Sequence, residues 1–183
     1  MRIIAGSSRG IQLNTPKEDM PVRPTTDRVK ESMFSSIQFD IRGNVLDLFA
    51  GTGQLGLESL SRGAEYCVFC DKNPDCIKII KSNVSKTKNE KKSRIIQVDY
   101  KRFIKHDCIM KFDVVFLDPP YNTGLSDKAL NYLSTGEHLN EGCIVVLECE
   151  ASEKKPETSG VLKLRKRYTL SGVSYLVYVK SDE

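Results

Sequence analysis

FDVVFLDPPY, residues 112–121, is the stretch whose reading decides the fold. Phe112, Val114, Val115, Phe116 and Leu117 favour a buried strand and run straight into Asp118, where two prolines forbid the strand to continue. A carboxylate is therefore left at the end of a core strand. In open α/β sheets ligands bind outside the carboxyl ends of the strands, which puts Asp118, Pro119, Pro120 and Tyr121 where chemistry is expected. Asp-Pro alone is an ordinary turn signal. The aromatic residue that follows, and a glycine-rich loop upstream, shift the reading toward a functional site.

Working outward from this strand, apolar runs and amphipathic segments alternate from Asn44 onward, the pattern of a parallel sheet covered by helices. Strands are expected at Val45–Phe49, Tyr66–Cys70, Ile95–Val98 and Cys143–Leu147. Helices are expected from Gln54 to Arg62, ended by Gly63, then after an Asn73 N-cap with Pro74 at the first helical position, then around Phe103 and around Leu130–Leu133. Beyond the polar link 152–160, Val161–Leu170 and Val173–Val179 flank Ser171-Gly172 as a hairpin. Upstream, two short apolar runs around Gly6 and Gly10 predict another hairpin over residues 2–13. A proline-rich arm follows, and then a helix starting at Thr25 or Thr26, with Val29, Met33 and Ile37 on one face. The domain division expected is an N-terminal hairpin and arm, 1–24, and an α/β domain, 25–183.

The first strand leads into DLFAGTGQLGLE, in which Gly51, Gly53 and Gly56 match G-x-G-x-x-G and Asp71 follows twenty residues after Gly51. By itself the motif serves a dinucleotide enzyme equally well. Asp47 separates the two readings, because it would repel a pyrophosphate and attract the α-ammonium and sulfonium of S-adenosylmethionine. Asp71 suits a ribose cis-diol as a two-oxygen acceptor, and Asp99, ending the third strand, suits the adenine amine. Three carboxylates would thus line one rim of the sheet.

Asp118 then raises the question of what is methylated. The lone pair of an exocyclic purine amine is delocalised into the ring, which makes it a poor nucleophile. A carboxylate and the Pro119 carbonyl, both acceptors, can hold the two amine hydrogens and aim the lone pair at a methyl group. Tyr121 offers an aromatic face worth about 1 to 3 kcal/mol in stacking. The base must be single-stranded or flipped out.

Val45 to Gly53 together with Asp118-Pro119-Pro120-Tyr121 resembles the class I S-adenosylmethionine-dependent amino-methyltransferases. Arg2-Ile3-Ile4-Ala5-Gly6, Arg23-Pro24-Thr25-Thr26-Asp27-Arg28-Val29 with Glu31, and Gly56-Leu57-Glu58 with Ser61-Arg62-Gly63-Ala64 narrow the resemblance to the bacterial 16S rRNA guanine-N2 methyltransferase family, over essentially the whole chain. It implies a Rossmann-like, three-layer α/β sandwich with a seven-stranded, mostly parallel sheet and an N-terminal β-hairpin extension that meets RNA. It implies S-adenosylmethionine held by Asp47, Phe49, Ala50, Gly51, Thr52, Gly53, Asp71, Lys72, Asp99 and Tyr100, and catalysis by Asp118, Pro119, Pro120 and Tyr121. RNA contacts are expected from Arg2, Arg9, Arg23, Arg28 and Lys30; Ile11 stands where the family often carries a basic residue. The implied partners are 16S rRNA within an assembled or partly assembled small subunit and the ribosomal proteins near the target base. An adenine-N6 methyltransferase on DNA or RNA shares the catalytic tetrapeptide and stays open, as does a non-catalytic RNA-binding assembly factor.

Composition fits these expectations without selecting among them. With 183 residues, 39% hydrophobic and 28% charged, the chain can bury a sizeable core, and its net charge of +4 permits a nucleic-acid partner. The start lacks a signal-like apolar segment and no stretch approaches the roughly 18 apolar residues of a membrane helix, so a cytoplasmic location is expected. The six cysteines lie in core-like segments. Cys67 and Cys70 form a C-x-x-C but fall in one strand at an odd separation, which aims them at opposite faces, so no metal site is expected.

Overall fold

The computed structural model describes residues 1–16 and 27–181. Eight strands form one sheet: β1 (Asn44–Asp47), β2 (Tyr66–Asp71), β3 (Ser93–Gln97), β4 (Phe112–Leu117), β5 (Leu139–Glu150), β6 (Thr158–Ser159), β7 (Leu162–Leu170) and β8 (Val173–Lys180), in the order β3-β2-β1-β4-β5-β8-β7-β6. The first five run parallel, and β8, β7 and β6 continue the sheet antiparallel. The seven strands expected become eight because two residues of the polar link, Thr158 and Ser159, pair with Lys163 and Leu162. The chain reverses between β1 and β4, which lie side by side with β2 beyond one and β5 beyond the other. That reversal opens a crevice at the carboxyl ends of the two strands.

Strict alternation along the central strands feeds two cores. Val45, Cys67, Phe69, Val114, Phe116, Ile144 and Val146 face one side; Leu46, Val68, Cys70, Val115, Leu117, Val145 and Leu147 face the other. The first side is covered by α1 (Asp27–Ser36), α2 (Gln54–Ser61) and α3 (Pro74–Lys86), which contribute Met33, Phe34, Leu57 and Ile80. The second is covered by α4 (Tyr100–Arg102), which runs on as a wider π turn through Asp107, and by α5 (Leu125–Leu133). Cys67 and Cys70 fall in opposite cores, and all six cysteines are free thiols. The helix cap at Asn73 forms as its sequence dictates: the side chain accepts from Asp75 N at 2.9 Å and Pro74 occupies the first turn.

The N-terminal segment forms the expected hairpin as a short antiparallel pairing. A single antiparallel bridge joins Arg2 and Gln12, with Ile3 N donating to Ile11 O and Gly10 N to Ile3 O. Leu13 N donates to Met1 O across the same pair, while Ile4 N and Ala5 N reach the Glu58 carboxylate, and Ser7 N reaches Ser61 O at 2.8 Å. Gly6 makes this approach possible. At φ +83 it takes a left-handed conformation, and a Cβ there would lie 1.8 Å from Ser61 O. Ile3 and Leu13 join the core beneath α1 and α2, so the described part of this segment shares the core of the α/β domain. The expected boundary at 24/25, the Thr25 or Thr26 helix start and Arg23 lie outside the described residues. None of the described helices is long and apolar enough to cross a membrane.

Candidate functional site

The strand ends converge on one cavity of about 500 Å³. Its lining includes Asp47, Phe49, Ala50, Gly51, Thr52, Asp71, Lys72, Asp99 and Tyr100, together with Asp118, Pro119, Pro120 and Tyr121. Every catalytic and cofactor position expected from the sequence is therefore in one place, except Gly53. That residue stands behind the wall, at φ 78 and ψ 13, and its N–H donates to Ala50 O at 2.6 Å as the chain turns into α2. A left-handed residue is needed at this turn, and glycine adopts that conformation without steric cost.

Each acid is held by backbone donors. Asp47, 2% exposed, accepts from Gly56 N at 3.0 Å. Burial pushes its carboxyl up to about 7, the nearby Asp71 charge adds to this, and the Gly56 N–H opposes it. Asp71 accepts from Gly51 N at 2.9 Å and Asn73 N at 2.8 Å, one bond to each oxygen. A carboxylate oxygen carries two lone pairs, which leaves both oxygens able to meet a diol. Asp99 caps α4 by accepting from Lys101 N at 2.9 Å. Beside it the rings of Phe49 and Tyr100 stand 5.2 Å apart and make an aromatic wall.

Across the cavity, Asp118 ends β4. Burial raises its carboxyl well above the usual carboxylate range, and the charges of Glu148 and Asp47 push the same way. Thr123 Oγ1 donates to Pro120 O at 2.7 Å, which closes the turn after the two prolines. Tyr121 donates its hydroxyl to Glu148 Oε1 in a short hydrogen bond.

Sequence reasoning missed several lining residues: Glu148 on β5, Gln54 at the start of α2, Met1, Val29, Ser171 and Val173. Glu148 carried a legible signal, since it also ends an apolar run, Ile144 to Leu147, in a parallel strand beside β4. Gln54 is only 6% exposed, and its Oε1 is buried without a hydrogen-bond partner. A buried acceptor left in this state facing a cavity calls for a donor from a ligand. The ammonium of S-adenosylmethionine is a donor with three N–H bonds, and the arrangement of Gln54, Asp47, the paired oxygens of Asp71 and the aromatic wall fits that cofactor's cationic tail, ribose and adenine.

The expected RNA contacts are divided. Arg9 and Arg28 are exposed, and Arg2 is exposed while paired with Asp27 at 3.2 Å. Lys30 is corrected: its side chain is 0% exposed, donating to Arg2 O and lying 3.5 Å from the Glu58 carboxylate. Position 30 falls on the face of α1 that turns to the core beside Val29, Met33 and Phe34, so its ammonium is consumed inside the protein. On β7, which carries Lys163, Arg165, Lys166 and Arg167, Arg165 is bidentate to Asp40 at 3.0 and 2.6 Å, and Lys166 lies over the Tyr168 ring. The N-terminal segment is also tied to the glycine loop. Buried Asn83 donates from Nδ2 to both Thr52 O and Asn14 O, and its Oδ1 accepts from Asn14 N.

The family model described as conserved hypothetical protein 95 matches residues 1–179. The chain belongs to this family. Its relatives include a protein of Haemophilus influenzae named ribosomal RNA small subunit methyltransferase D, 34% identical, the match covering 97% of this chain and 93% of the relative. The Escherichia coli protein of the same name is 30% identical, with 100% and 91% covered. Among solved structures, Escherichia coli yhhF superposes with a TM-score of 0.88 at 28% identity, covering 100% of this chain and 99% of that one. An RNA methyltransferase from Salinibacter ruber, solved with S-adenosyl-L-homocysteine, has a TM-score of 0.65 at 19% identity over 88% and 95% of the two chains, and shares the fold. The Rossmann-like methyltransferase architecture, a mixed sheet with helices on both sides, is thus that of the family.

Proposed function

We propose that this chain is an rRNA methyltransferase that uses S-adenosylmethionine to methylate the exocyclic N2 amine of a guanine in small-subunit 16S rRNA. The observation that carries the reading is that the Asp118 to Tyr121 turn and the strand-end acids Asp47, Asp71 and Asp99 line a single cavity. Relatives named for methylation of small-subunit rRNA support the substrate class. When bound, the cofactor would supply an electrophilic methyl group on a sulfonium: the amine lone pair forms the N–C bond as the S–C bond breaks to leave a thioether, and the amine proton passes to solvent water. Asp118 and the Pro119 carbonyl accept the amine hydrogens and orient the lone pair. Tyr121 stacks on the flipped base. Arg2, Arg9 and Arg28 contact phosphates, and the subunit context brings ribosomal proteins close to the target base.

The test offers labelled methyl donor to unmodified small subunits and, in parallel, to protein-free rRNA. Label is expected in a nucleoside identified by mass spectrometry as N2-methylguanosine. N6-methyladenosine would overturn the choice of base, and label in neither substrate would overturn the enzyme reading in favour of an RNA-binding assembly factor.

Asp47 makes cofactor affinity depend on pH. A carboxyl held near 7 ionises as the pH rises through that value, and only the ionised form attracts a cation. Affinity for S-adenosylmethionine is expected to climb with pH and level off above about 8, and to be about tenfold weaker at pH 6, where roughly a tenth of the carboxyl is ionised. Calorimetric titration of the wild type and Asp47→Asn checks this. The variant should bind weakly with a flatter pH profile; an equally steep profile in the variant would assign the effect to another group.

A further inference from the structure

Glu148 takes no part in the mechanism above, yet it stands between that mechanism's two substrate-facing elements. In β5 it follows Leu147, the parallel partner of Leu117, so it is carried to the rim beside Asp118, about one strand spacing away. It is 7% exposed and lines the cavity. Its Oε1 receives the Tyr121 hydroxyl. Across the antiparallel ladder it faces Tyr175, itself 2% exposed. An isolated buried carboxylate is costly, and replacing Glu148 by an apolar residue would suit the rim of a core strand better if packing were the only requirement. What the carboxylate does here is hold a phenol.

We propose that Glu148 is a positioning residue of the methylation site: it fixes the Tyr121 ring through the phenolic hydroxyl and stands as the neighbouring acid of Asp118. This rests on the methyltransferase reading for its catalytic consequence and on the structure alone for the hold on Tyr121. The tyrosine follows two prolines and precedes Asn122, whose φ is +58, so the turn is stiff before Tyr121 and tightly bent after it. The side chain still retains two torsions, and a charge-assisted bond from its hydroxyl to Glu148 removes that freedom and presents the ring face to the base. The second consequence is electrostatic. Two carboxyls at adjacent strand ends in a buried site resist ionising together. Among the described residues, the groups facing this pair include Asp47 from β1, Tyr121 from the turn and Tyr175 from β8. The Glu148 charge therefore adds to burial in opposing ionisation of Asp118.

The experiment compares wild-type protein with Glu148→Gln, Tyr121→Phe and the double variant, using small subunits as substrate and tyrosines labelled at the ring carbon that bears the hydroxyl. The Tyr121 resonance, assigned by its loss in Tyr121→Phe, should shift in Glu148→Gln. Turnover should fall roughly tenfold in Tyr121→Phe, the size of one lost charge-assisted bond, and by less in Glu148→Gln, whose amide oxygen still accepts the hydroxyl, with KM for the donor nearly unchanged in both. The double variant should be no more than about twofold worse than Tyr121→Phe alone, because Glu148→Gln weakens, and Tyr121→Phe removes, the same bond. The acid limb of the pH–rate profile should move down by about one unit in Glu148→Gln, since a like charge beside Asp118 has gone. An unmoved resonance together with additive losses would overturn the proposal. If the wild type transfers no methyl group, the methyltransferase reading fails, and the resonance still decides whether Glu148 holds Tyr121. Glu148→Gln is isosteric and its melting temperature identifies any loss of fold.

Discussion

Asp118→Ala is expected to lower turnover about a hundredfold or more, the scale of losing one preorganised polar partner of a reacting group. On the proposed mechanism the substitution would remove the side-chain acceptor for the amine and leave only the Pro119 carbonyl, so the lone pair would no longer be aimed. Asp118→Asn should retain more activity, because its amide oxygen still accepts one hydrogen bond. A fold defect would imitate the loss, but the sign of the electrostatics separates the two explanations. The folded state holds the Asp118 carboxyl above its ordinary range, chiefly through burial. A group whose folded pKa is raised costs the folded state more as the pH climbs from its unfolded value, near 4, through the folded one. Removing it relieves that cost, so at pH 8 the Ala variant should melt no lower than the wild type. Single-turnover methylation of small subunits, with thermal melts of the same samples, makes the measurement. Full activity in Asp118→Ala would remove Asp118 from the mechanism.

Features carried by short-range pattern were legible before any coordinates. Alternation assigned Cys67 and Cys70 to opposite faces, a proline after an asparagine placed the start of α3, and carboxylates closing apolar runs marked the rim where Asp47, Asp71, Asp99 and Asp118 meet. Features set by partners distant in sequence were not legible. Lys30 reads as one of a basic cluster with Arg23 and Arg28, and nothing local shows that it lies on the inward face of α1 opposite an acid 28 positions away. The hairpin over residues 2–13 was legible from its turn residues, but that Ile4 N and Ala5 N would turn to the Glu58 carboxylate on α2 was not. Gln54 sits in the x position of a glycine motif, where composition says nothing about which way its oxygen points. Glu148 is the instructive case, because the strand-end rule that located the other acids applies to it equally and needed only to be carried one strand further.

Loss of the Glu58 carboxylate should strongly destabilise the fold. Its side chain is 0% exposed and its carboxylate gathers four donors: Ile4 N at 2.8 Å, Ala5 N at 3.0 Å, Arg62 Nε at 2.8 Å and Lys30 Nζ at 3.5 Å. Burial already lowers the Lys30 pKa, and Glu58 is the leading influence that opposes this. Glu58→Ala leaves a buried ammonium and two backbone N–H groups without their acceptor, and breaking a buried pair from one side costs about 3 to 5 kcal/mol. Against a typical total of about 5 to 15 kcal/mol this is a large fraction, which equilibrium denaturation in urea would read directly. Glu58→Gln with Lys30→Met should recover much of the loss: the amide oxygen still accepts from the N-terminal backbone and the charge that needed neutralising is gone. The damage should be unevenly distributed. Residues 1–13 are pinned to α2 mainly through Glu58 and Ser61, so limited proteolysis of Glu58→Ala is expected to cut there first. Met1 lines the cavity and Arg2 and Arg9 are exposed on the same segment, so release of the segment is expected to weaken cofactor binding and, on the role proposed for the two arginines, RNA binding with it. A Glu58→Ala protein as stable as wild type, with this segment equally resistant to protease, would show that the carboxylate is not what joins the N-terminal segment to the domain.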